Sequence, residues 1–146
     1  MKDLKMYING KFVESRSGKW IEVLNPSTEE VISRQPEGTV EDVEEALDAA
    51  KAAQKEWEKT PAAERAEYLK KFAQGIRDRQ EEFVEIIMRE QGKTRAWATI
   101  EVGATISYFD YMATFARHIE GEILQSDNRN ETIFLSKKPI GVVAGI

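Results

Sequence analysis

A chain of 146 residues that is 41% apolar and 32% charged is long enough to bury a core and carries no low-complexity segment. Its formal net charge of −5, without a dense lysine–arginine cluster, argues against nucleic acid or an anionic membrane surface as partner. Cysteine is absent, which removes disulfides and thiolate zinc sites, and Met1-Lys2-Asp3-Leu4-Lys5 shows no apolar signal core, so the expected location is the cytoplasm.

The chain opens with short strand patterns. Tyr7-Ile8 and Phe12-Val13 flank Asn9-Gly10, the strongest short hairpin signal. A polar turn, Ser15-Arg16-Ser17-Gly18, leads into the strand Trp20–Leu24. Asn25-Pro26-Ser27-Thr28 breaks it, Val31–Arg34 resumes extended structure, and Pro36-Glu37-Gly38 closes a small antiparallel element.

A helix is expected from Thr39, an N-cap with Asp42 three residues on and acids in the first turn. Val43, Leu47, Ala50 and Trp57 recur at helical spacing and predict one buried face. Thr60-Pro61 predicts a second helix, with threonine as cap and proline at the first helical position. Leu69, Phe72 and Ile76 line its inner side, and helix resumes through Phe83, Ile86 and Ile87 to Gly92. Thr94 is placed to cap a long third helix reaching about Ile119. That helix is apolar nearly all round, from Trp97 and Ile100 through Tyr108 and Tyr111 to Phe115. Such a helix in a soluble protein is buried in something larger, and Glu101, Thr105 and Asp110 within it exclude a membrane span. The two earlier helices can cover one side of it only.

After Gly121, Glu122–Gln125 and Thr132–Ser136 read as strands joined by the polar loop 126–130. The sequon Asn130-Glu131-Thr132 carries little weight in a chain with no sign of secretion. Ile140–Ile146 is a continuous apolar run, typical of a central parallel strand covered on both faces. A parallel strand needs neighbours, so the chain is expected to be a fragment of a larger α/β protein.

The residues give little material for catalysis. His118, the only histidine, sits in the last turn of the long helix, where a cation is favoured; no Gly-x-Ser-x-Gly elbow and no His-Glu-x-x-His pattern exists. Gly92-Lys93-Thr94 resembles the end of a phosphate-binding loop, but Ile87 stands where its first glycine is required, so a helix-ending glycine followed by a cap is the better reading. Val143 likewise breaks a Gly-x-Gly-x-x-Gly fingerprint between Gly141 and Gly145. Glu101 and Asp110 are expected to be structural, paired with Arg95 or Arg117 or with backbone at a domain contact. Tyr108, Tyr111 and Phe115 are expected in the core, with part of the stripe lining a substrate passage as the alternative.

The order and wording of the segments resemble the aldehyde dehydrogenase superfamily along the whole chain. The matching pieces are Tyr7–Val13, Asn25-Pro26-Ser27-Thr28-Glu29 with Val31-Ile32, Ala49–Ala53 with Trp57, Glu90-Gln91-Gly92-Lys93, and Pro139–Ile146. Tyr111-Met112, Ala116-Arg117, Glu120–Ile123 and Gln125-Ser126-Asp127 look closest to the lactaldehyde and glycolaldehyde branch. The resemblance implies an α/β fold: residues 1–119 as the N-terminal part of a Rossmann-like cofactor-binding domain, 120–138 as an oligomerisation hairpin, and 139–146 as the first strand of the dinucleotide sheet. It implies oxidation of a small hydroxy-aldehyde to its acid with NAD or NADP, NAD being favoured. A cysteine thiolate attacks the aldehyde in such enzymes, a glutamate helps water release the acyl group, and an asparagine helps hold the oxyanion. None of these positions falls within 1–146, so no catalytic residue is carried over and the isolated chain is expected to be inactive. Three roles do transfer: Ile146 as a cofactor contact, the 123–137 hairpin as the bridge between subunits of a dimer or tetramer, and Ala104 with its neighbours as a wall of the substrate tunnel. The alternative is a non-catalytic remnant that works by binding or oligomerising.

Overall fold

The computed structural model describes residues 2–146; Met1, where the reading of the N-terminus begins, lies outside them. Strand β1 (Lys2–Asp3) precedes a hairpin of β2 (Met6–Ile8) and β3 (Lys11–Val13). Asn9 and Gly10 both take positive φ, 50° and 76°, the geometry of a two-residue hairpin turn whose twist matches its strands. Tyr7 faces Phe12 across it, with ring centroids 5.1 Å apart. β4 (Trp20–Leu24) and β5 (Val31–Pro36) pair antiparallel, with an irregularity at Val23/Leu24. β1 adds to the other side of β5 in parallel, giving the order β1-β5-β4, so the element expected to be purely antiparallel has one parallel edge.

Helix α1 (Val40–Trp57) starts as expected. Thr39 accepts the Asp42 backbone N–H at 3.2 Å, and the Asp42 carboxylate accepts the Thr39 N–H at 2.9 Å, a complete capping box. Its apolar face does not bury as expected. Val43 is 55% exposed, and Leu47 and Trp57 are also exposed, because α2, α3 and α4 pack with one another and leave this face of α1 uncovered. Helix α2 (Ala62–Asp78) begins one residue later than the Thr60-Pro61 signal suggests. Pro61 holds the cap position, and the Thr60 carbonyl is taken by the Arg65 guanidinium instead.

α3 (Gln80–Gln91) ends at Gly92, which caps it in the left-handed region at φ 67°. α4 (Arg95–Thr114) follows and tightens into a 3-10 turn at Phe115–Arg117, short of the expected end at Ile119. Thr94 occupies the cap position, but its side chain makes no capping bond. α2, α3 and α4 enclose the core of Ala73, Val84, Ala98, Val102 and Ile106, with Ile76, Phe83, Ile87, Met88 and Phe109 packed round it. The fully covered Ala73 and Ala98 keep this packing close, since larger side chains would have no space. Full burial of a side chain such as Val84 contributes roughly 1.5–3 kcal/mol. The cover over α4 therefore comes from α2 and α3, the segment expected as helix from Thr60-Pro61 to Gly92, and the core includes no residue of α1.

β6 (Glu122–Gln125) and β7 (Thr132–Leu135) form the third strand pair, in the register Ile123↔Phe134 and Leu124↔Ile133. Residues 139–146 form no strand. An isolated extended segment has no ladder to satisfy its backbone, so the strand expected over Ile140–Ile146 is not formed among the described residues.

Candidate functional site

Helix α4 carries the site-like features, and its two faces explain them. Inward, Ala98, Val102, Ile106 and Ala113 are buried. Outward, Trp97, Ile100, Ala104, Tyr108, Tyr111 and Phe115 recur at helical spacing on the exposed side, with Trp97 at 65%, Tyr108 at 64% and Tyr111 at 58% exposure. The aromatic stripe expected in the core thus faces away from it, because Tyr108, Tyr111 and Phe115 follow the buried Ile106 by offsets that, at about 100° per residue, carry them to the opposite side of the helix. Hydroxyl groups do not make this helix polar. Thr99, Thr105 and Ser107 each donate to the carbonyl four residues back, at 2.8, 2.9 and 3.0 Å. A helix so satisfied can be packed over without orphaning a hydroxyl.

The carboxylates of α4 are held by cations from its neighbours. Asp110 accepts from Arg77 of α2 at 2.9 Å, and Glu101 pairs with Lys93 just before α4. These partners differ from the expected Arg95 and Arg117; Arg95 reaches back to α3, to Glu81 at 3.0 Å and to Glu85. Structural pairing was the right expectation, but the partner depends on which helix lies alongside. His118 follows the 3-10 turn with Nδ1 3.2 Å from the Thr114 carbonyl, the position of a group closing a helix end. No cluster of histidine, aspartate and glutamate fit for a metal ion occurs among the described residues.

Two adjoining grooves lie at the C-terminal end of α4. One, of about 410 Å3, is apolar, with Trp57, Leu69, Met112, Phe115 and Ile119 in its walls. The other, of about 450 Å3, shares Trp57, Arg65 and Ile119 and runs on to Lys137, Pro139 and Gly141. This junction is absent from the sequence-based expectations, although Met112, Phe115 and Ile119 recur at helical spacing. Ile146 is fully exposed and lies in neither groove, and Ala104 is exposed on the outer face of α4.

The other concentrated polar site is a carboxylate junction. Asp42 is only 4% exposed and receives Ser15 Oγ at 2.8 Å, besides the Thr39 N–H, while Arg16 Nε stands 3.3 Å away. The Thr39 backbone N–H above all, then the Ser15 hydroxyl and the Arg16 N–H, hold the Asp42 carboxyl below the usual carboxylate range against the opposing effect of burial. On β1, Asp3 is lowered mainly by its hydrogen bonds to Arg34, at 2.8 and 2.9 Å, and Arg34 also lies over the Trp20 ring. Both sites fasten one segment to another.

The geometry thus defines an α/β scaffold presenting apolar surfaces. The chain belongs to the aldehyde dehydrogenase family, whose model matches residues 12–146. It is 52% identical to the lactaldehyde dehydrogenase of Escherichia coli (strain K12) over 97% of this chain and 29% of that protein. A crystal structure of lactaldehyde dehydrogenase from Escherichia coli superposes with a TM-score of 0.88 at 50% identity, covering 91% of this chain and 28% of the other. A betaine aldehyde dehydrogenase point mutant from Staphylococcus aureus, in complex with NAD+, superposes with a TM-score of 0.88 at 29% identity, over 92% of this chain and 28% of its own. The chain spans under a third of the length of these relatives.

Proposed function

We propose that the protein carrying this chain is an NAD(P)-dependent aldehyde dehydrogenase that oxidises a small hydroxy-aldehyde to its carboxylic acid. The observation that carries this reading is the 52% identity to a lactaldehyde dehydrogenase, sustained over 97% of the chain. The NAD+ complex of the betaine aldehyde dehydrogenase supports the choice of cofactor.

Within that protein, residues 1–119 form the N-terminal part of the cofactor-binding domain, and 139–146 become the first strand of its dinucleotide sheet once neighbouring strands flank them. When bound, the dinucleotide supplies a hydride acceptor. What this chain offers it fits a lining role: the side chains of Val142, Val143, Ala144 and Ile146 are exposed and apolar, so they can face a ring. Ile146 is the contact at the strand end. The outer face of α4 round Ala104 shields the aldehyde from water, and an apolar wall there keeps the reacting carbonyl dry. The nucleophilic thiolate comes from outside these residues, which contain no cysteine. The 123–137 hairpin joins subunits.

The test is aldehyde-dependent reduction of NAD and of NADP by the native gene product, with lactaldehyde, glycolaldehyde and a bulky aromatic aldehyde compared. Turnover that favours the small hydroxy-aldehydes is expected, with none from purified 1–146 alone. Failure of every aldehyde to reduce either cofactor overturns the enzyme reading; reduction by 1–146 overturns its proposed inactivity.

A further inference from the structure

We draw no further inference here: the strongest candidate, the groove between β5 and α3 where the buried, unpartnered Ser33 hydroxyl lies with Leu4, Ile86, Arg89 and Glu90, has nothing in the structure to show what covers or occupies it.

Discussion

Ser15 and Asp42 meet across 27 positions of sequence, the serine hydroxyl donating to Asp42 Oδ2 at 2.8 Å. The same carboxylate oxygen caps α1 through the Thr39 N–H, so one buried group both starts a helix and fastens the turn after β3 to it. The Arg16 guanidinium continues the junction outward to Glu45. A carboxylate with donors on this many sides is fixed in position, and its charge is part of the joint.

Acid should loosen this joint. The folded-state pKa of Asp42 is depressed, so its contribution to stability is present above the ordinary aspartate pKa and is lost as pH falls through the folded value. Urea unfolding of the native protein and of its Asp42→Asn variant should therefore differ at neutral pH and converge in acid below about pH 4. A gap between the two that stays constant with pH would show that the carboxylate charge contributes nothing.

Thr39 isolates the cap from the charge. Thr39→Ala removes the acceptor for the Asp42 N–H and should cost about 1 kcal/mol, while Thr39→Ser should cost less. Denaturation midpoints at neutral pH measure both. Equal losses for alanine and serine would mean that the threonine methyl, not its oxygen, matters.

Gly92 answers to two constraints at once. It sits at φ 67°, and a Cβ built there would lie 3.0 Å from Pro26 Cγ and 3.1 Å from Ser27 Oγ. Gly92→Ala should cost about 1–2 kcal/mol from the left-handed backbone alone, with the crowding against Pro26 in addition. Gly92→Asn tolerates the backbone but carries the same Cβ, so the loss it retains reports the contact. Full stability in the asparagine variant would remove the Pro26 contact from the account.

Core packing allows no growth at Ala73. It is fully covered between helices beside Val84 and Ala98, and Ala73→Leu should destabilise by about 1–3 kcal/mol through overpacking. Thermal unfolding of the native protein is the measurement. An unchanged midpoint would mean that α2 can move away from its neighbours without loss.

The hairpin prediction concerns assembly. Ile123 and Phe134 share one face of β6–β7, and Leu124, Ile133 and Leu135 share the other; all five are exposed. A hairpin apolar on both faces is an aggregation hazard unless protein covers it. Ile133→Asp or Leu135→Asp in the native protein should lower the mass measured by light scattering. An unchanged mass would remove the hairpin from the subunit contact.

Much of the local structure could be read from residue types. Asn9-Gly10 demands a tight hairpin turn, Thr39 with Asp42 opens a helix, and Gly92 closes one, because each depends on backbone groups within a few positions. The collinear segments also pointed to the aldehyde dehydrogenase family, whose model matches residues 12–146. Among the candidate site features, the structural roles of His118, Glu101 and Asp110 were legible, but the identities of the two ion-pair partners were not.

Only the tertiary structure decided which apolar face is covered and by what. Periodicity marks a stripe on α1 and another on α4 but carries no information about the neighbour; the fold buries Val102 and Ile106 under α2 and α3 and leaves Val43, Tyr108 and Tyr111 exposed. Burial and ion-pair choice both depend on groups distant in sequence. Helix caps and turns do not. That difference in range separates what the sequence determined by itself from what had to await the packing of the whole chain.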